Sequence, residues 1–130
     1  MSPRGVLYWL LMIIAVSTVI SGLVQLMNPG FVLGLVGAEQ SATDKHFFAI
    51  VGMFMTLFGG LLWQGLAAAA PPPMVLFWAG LQKFGASAAV ALGVARHVFG
   101  SVSLLIAGFD LLSGILIFAY WMSVRKGSNA

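Results

Sequence analysis

The chain has 130 residues, of which 61% are hydrophobic and 7% charged, against roughly 45–50% and 25% in soluble domains. That length allows a single domain, 1–130, and a surface this poor in charge could not be kept in water. Six basic residues are too few and too scattered for a nucleic-acid footprint, and the lack of cysteine removes disulfides, thiolate catalysis and Cys-ligated metal centres.

The first apolar stretch runs from Gly5 to Met27. It is longer than the ~7–15-residue apolar core of a secretory signal, and no small-x-small cleavage site follows it. It therefore reads as an uncleaved first span, long enough to cross ~30 Å of hydrocarbon with its ~20 residues. Asn28-Pro29-Gly30 stops it, because proline and glycine break a helix as it leaves lipid. The only long loop follows, Asn28 to Lys45, and its Phe31–Val36 segment is too short to span and is expected at the interface. Ser41-Ala42-Thr43-Asp44 offers a capping-box-like start, since short polar side chains take up orphan backbone N–H groups. A second span is predicted from about His46 to Ala69, closed by Pro71-Pro72-Pro73. The third runs from Met74 to Ala95 and the fourth from Phe99 to Met122. Arg96 and His97 mark a tight turn between them, so these two should pack as antiparallel neighbours. The fold class is all-α: an integral membrane four-helix bundle, spans about 5–27, 46–69, 74–95 and 99–122, with both termini on the same side.

Aromatic residues give an independent check on the number of spans. Trp and Tyr favour the headgroup level, where one edge of the ring stays wet. With four spans, Tyr8, Trp9, Trp63, Trp78, Tyr120 and Trp121 all fall at one face, and they are all the Trp and Tyr the chain contains. That face carries Arg4, Arg125 and Lys126; the other carries Lys45 and Arg96 with Glu39 and Asp44. The small basic excess places both termini in the cytoplasm and the protein in the cell (inner) membrane as a multi-pass chain.

Two ionisable residues lie well inside spans, Lys83 and Asp110. Each costs about 2.5–3.5 kcal/mol at a helix centre on insertion scales, so each needs a reason to be there. Lys83 lies ten residues past Pro73, about 15 Å in, and Asp110 twelve residues before Met122, about 18 Å from the same face. Steps of three and four from Lys83 meet Ala79, Gly80, Ala86 and Ser87; from Asp110 they meet Ser103, Ala107, Ser113 and Gly114. Small residues mark close helix contact in lipid, so both charges are expected to face inward and pair. Gln64, on a stripe with Gly60, Ala67 and Ala68, and Gln82, beside Lys83 but about 100° round the helix, complete an expected buried polar cluster. Gln25 shares a stripe with Thr18, Ser21 and Gly22 nearer the opposite face. Such a pair can be a register clamp, a proton- or ion-coupling site, or a contact for a headgroup, quinone or pigment.

No catalytic, cofactor or metal residue is expected. His46 and His97 lie at the far face, too shallow for a haem, although His46 with Asp44 and Glu39 could hold a cation weakly. Alanine at Asp44, Lys45 or His46 should change stability by no more than ~0.5 kcal/mol, as exposed interfacial charges usually do. The hydroxyls of Ser17, Ser21, Ser87, Ser101 and Ser103 have no base beside them in sequence, and the methionines read as packing filler. The span pattern resembles that of small bacterial four-helix membrane proteins of unassigned function, DoxX-like in layout. In size and span number the chain also resembles small multidrug exporters, which carry a glutamate in the middle of the first span; Val6 to Met27 has no acidic residue. The reading is of a non-enzymatic accessory, scaffold or lipid-contacting subunit, with other membrane subunits or its own copies as partners. The alternative is a small ion- or proton-coupled transporter or channel built on Lys83 and Asp110.

Overall fold

The computed structural model describes residues 5–128, so Arg4 and the two termini lie outside the described residues. Five helices follow one another, α1 (Val6–Met27), α2 (Pro29–Leu35), α3 (Ala42–Ala67), α4 (Pro73–Ala95) and α5 (Ser103–Ser128). No strand occurs among the described residues. Four of the helices are long and apolar enough to cross a membrane, with mean hydropathies of 2.3, 1.7, 1.4 and 1.9 in chain order.

Local chemistry explains the boundaries. Asn28 ends α1 and caps α2, its side chain accepting from the Phe31 N–H, and Pro29 follows at the first helical position, where a missing N–H costs nothing. The short apolar segment is thus a helix, with Leu33 buried and Phe31 and Leu35 exposed. Ser41 starts α3 through a reciprocal capping box: its Oγ accepts from the Asp44 N–H, and the Asp44 carboxylate accepts from the Ser41 N–H. The helix therefore begins at Ala42, a turn before the expected His46, because hydropathy alone ignores the polar first turn that a cap secures. At the other boundary α5 begins at Ser103 rather than Phe99. The N–H groups of Val98 and Phe99 bond back to the Gly93 carbonyl, that of Gly100 bonds to Val36, and His97 sits at φ 59°. Residues 96–102 are consequently a longer turn than the tight one expected from Arg96-His97.

The bundle is two helix pairs. Most interhelical contact lies within α1/α3 and within α4/α5, with far less between the pairs. The first pair packs backbone to backbone: a Cβ on Gly22 would stand 2.6 Å from the Thr56 nitrogen, and one on Gly52 2.6 Å from the Leu26 nitrogen. The second pair packs rings into glycine notches, Phe118 against Gly80 and Phe84 against Gly114, and the two rings stack at 5.4 Å. The pairs meet at one end, where Tyr8 and Leu11 of α1, Leu62 and Leu66 of α3, Leu76 of α4 and Ile117 and Tyr120 of α5 form the core. The start of α1 and the end of α5 thus share one end of the bundle, with Tyr8 and Tyr120 rings 6.2 Å apart. Trp9, Trp63 and Trp78 are exposed at that end, whereas both tyrosines are buried. Tyr8 is drawn inward because its hydroxyl donates to the Leu66 carbonyl at 2.8 Å, one of the last carbonyls of α3 and so without an intrahelical partner.

Candidate functional site

Away from that core the two pairs part, and a crevice of about 460 Å³ lies between α1 and α5. Ser17, Thr18, Ser21 and Gln25 of α1 face apolar Leu105, Ile106 and Phe109 of α5, and α2 lines the far end. Lys83 and Asp110 line the same space, contributed by α4 and α5. Both are buried, at 5% and 9% exposure, as are the small residues Ala79, Gly80, Ser103, Ala107, Ser113 and Gly114 that share their stripes.

The two charges stand 3.6 Å apart, Lys83 Nζ to Asp110 Oδ1, an ion pair a little longer than a good hydrogen bond. The short bond of the lysine goes elsewhere, to Thr18 Oγ1 at 2.6 Å across the bundle. Thr18 can accept it because its own proton is already given to the Ile14 carbonyl at 2.8 Å, leaving a lone pair directed outward. The ammonium also lies 5.7 Å from the Phe109 ring centroid, within the range of a cation–π contact. Three helices therefore converge on one amine: Thr18 from α1, Lys83 from α4, Asp110 with Phe109 from α5.

The other expected members of this cluster are placed differently. Gln64 is exposed on α3 and is not part of a buried cluster. The inward face of α3 is set by Gly52, Gly59, Leu62, Gly65 and Leu66, and position 64 lies about 100° from Gly65 and twice that from Leu62 or Leu66, on the outer face. The small residues Gly60 and Ala67 beside it mark no contact; Gly60 has open space around it. Gln82 is half-buried on α4 and does not line the crevice. Gln25 does line it, with its amide donating to the Phe48 carbonyl of α3 at 3.0 Å. Thr18 is the member that sequence reasoning missed. Its signal was the polar stripe Thr18–Ser21–Gly22–Gln25, but nothing in one helix says which other helix will meet that stripe.

At the far end, a second crevice of about 470 Å³ brings Glu39, Asp44 and His97 among apolar residues, while His46 is exposed outside it. Among the described residues no three His, Cys, Asp or Glu side chains come together as a metal-binding group.

No family model, curated protein or solved structure matches this chain. The DoxX-like resemblance of the span pattern accordingly gains no support.

Proposed function

We propose that this chain is a multi-pass integral membrane protein whose four long helices all cross the bilayer, with both termini on the cytoplasmic side of the cell (inner) membrane. Its role is non-catalytic: a lipid-contacting accessory or scaffold subunit of a membrane assembly. The observation that carries this reading is an inverted distribution of polarity. Large apolar residues such as Ile13, Ile20, Phe54, Leu57, Leu105 and Leu112 are exposed along the helices, whereas Thr18, Lys83, Ser103, Asp110 and Ser113 are buried. In water such a surface far exceeds the apolar patches that soluble monomers tolerate; in hydrocarbon it is the expected exterior. Purification in mild detergent tests the assembly role. A stoichiometric membrane partner, or a defined oligomer of the chain itself, is the expected result, and a monodisperse monomer without partner would count against a subunit.

A second reading, a small proton- or ion-coupled transporter, is favoured by the ion pair lining a crevice rather than being sealed among packed side chains. Uptake or proton flux in proteoliposomes that disappears in Asp110→Asn while the protein remains folded would favour it over the accessory role.

A further inference from the structure

We propose that the crevice between α1 and α5 binds a neutral lipophile bearing a hydroxyl or carbonyl oxygen, admitted sideways from the hydrocarbon layer. The proposal rests on the membrane reading above. Its volume, about 460 Å³, falls inside the ~300–1,000 Å³ typical of small-molecule sites. The lining is mostly apolar, and Ile20, Val24, Phe31, Leu35, Leu105, Ile106 and Phe109 within it are exposed. Five of these belong to the long apolar helices α1 and α5, and on the membrane reading that side of the crevice faces hydrocarbon.

The polar lining selects the ligand's head. It carries one positive and one negative group 3.6 Å apart, whose fields largely cancel, so a charged head of either sign gains little net attraction to offset the loss of its own hydration. A neutral oxygen avoids that penalty. The lysine ammonium has three protons: Thr18 Oγ1 takes one, Asp110 faces another, and the third can meet a carbonyl or hydroxyl. A ligand hydroxyl can also donate to the Asp110 carboxylate. Ser17 and Ser21 add hydroxyls on the α1 wall. A molecule with a charged headgroup would in addition have to carry it to the depth of Lys83, at a cost that a single neutral oxygen does not incur.

The test uses the full-length chain reconstituted in phosphatidylcholine vesicles and a photoreactive diazirine fatty alcohol, with the matching diazirine alkane and diazirine fatty acid as controls. The alcohol should label residues 17–25 and 105–110 saturably, competed by unlabelled alcohol, and roughly tenfold above the alkane, the scale of one hydrogen bond to a charged group. Ser21→Trp, which fills the rim, should lose this labelling while still floating with the vesicles, and Lys83→Met with Asp110→Leu should lose the preference for alcohol over alkane. Equal labelling by alcohol and alkane, or labelling that survives Ser21→Trp, would overturn the site. Stronger labelling by the fatty acid would overturn the neutral class. A chain that fails to float with vesicles at all would overturn the membrane reading and this proposal with it, whereas flotation without specific labelling sinks the proposal alone.

Discussion

Thr18 and Asp110 hold the Lys83 amine from two sides, and their contributions separate by substitution. Thr18→Val keeps the shape and removes the acceptor; a lost hydrogen bond to a charged group leaves a deficit of about 1–3 kcal/mol. Lys83→Met leaves the Asp110 carboxylate without its counter-charge, and breaking a buried pair costs about 3–5 kcal/mol. Adding Asp110→Leu should recover much of that loss, since an apolar replacement of similar volume is often neutral. Unfolding in detergent across these variants measures the series. A double variant no more stable than Lys83→Met would show that the pair is not the stabilising unit. Tyr8→Phe gives a second residue-scale expectation. It strands the Leu66 carbonyl at the end of α3, for a cost of about 1–3 kcal/mol in the same assay, and no measurable change would mean water reaches that carbonyl. Lys83 and Asp110 were legible in the sequence because a charge within an apolar run stands out and depth follows from helical rise. Gln64 was not legible, because α3 has small residues on two faces and those beside position 64 mark no contact.

Glycines act differently according to what faces them. Gly22→Ala and Gly52→Ala each drive a methyl group against the backbone of the partner helix, which has no flexible end to move aside. Overpacking of this kind costs about 1–3 kcal/mol or more, read as a fall in the unfolding midpoint. Gly60, Gly85 and Gly108 have open space at the Cβ position, so alanine there should be neutral or should stabilise by up to about 1 kcal/mol through helix propensity. No loss at Gly22 and Gly52 would mean that α1 and α3 are not in the close contact described. Helix ends also correct an expectation: Asp44 is bonded to both the N–H and the hydroxyl of Ser41. Asp44→Ala should then cost about 1 kcal/mol, the usual worth of a cap, whereas Lys45→Ala and His46→Ala stay near neutral. Helix existence was readable from apolar length. The start of α3 was signalled by the Ser41–Asp44 capping box; that of α5 was not readable, because it depends on a backbone bond from Gly100 to Val36 in a distant loop.

At the scale of the molecule, the four-span pattern and the shared end of α1 and α5 predict the topology. Reporters fused at residue 1 and residue 130 should both read the cytoplasm, and one inserted in the 39–43 loop should read the opposite side. Termini on opposite sides would end the four-span arrangement; a fully inverted pattern would correct only the orientation. The α4/α5 pair was readable from the short connection at Arg96-His97. The α1/α3 pair was not, since every long helix is apolar and glycine-bearing, and the difference between backbone contact and ring-in-notch packing appears only in three dimensions. The division into two pairs bears on how the chain is made. The α1/α3 half leaves the ribosome first and can close on itself before α4 exists. The α4/α5 half follows, with α4 the least apolar of the four and carrying a lysine whose tightest partner, Thr18, belongs to the earlier half. Joining the halves can therefore be a separate step, in which the Thr18 hydroxyl adds the last bond to an amine that Asp110 already faces within the second half. A gene split between Ala69 and Ala70, within the short linker that joins α3 to α4, should yield two polypeptides that find each other in the membrane. Their recovery as a complex should fall sharply when the second carries Lys83→Met.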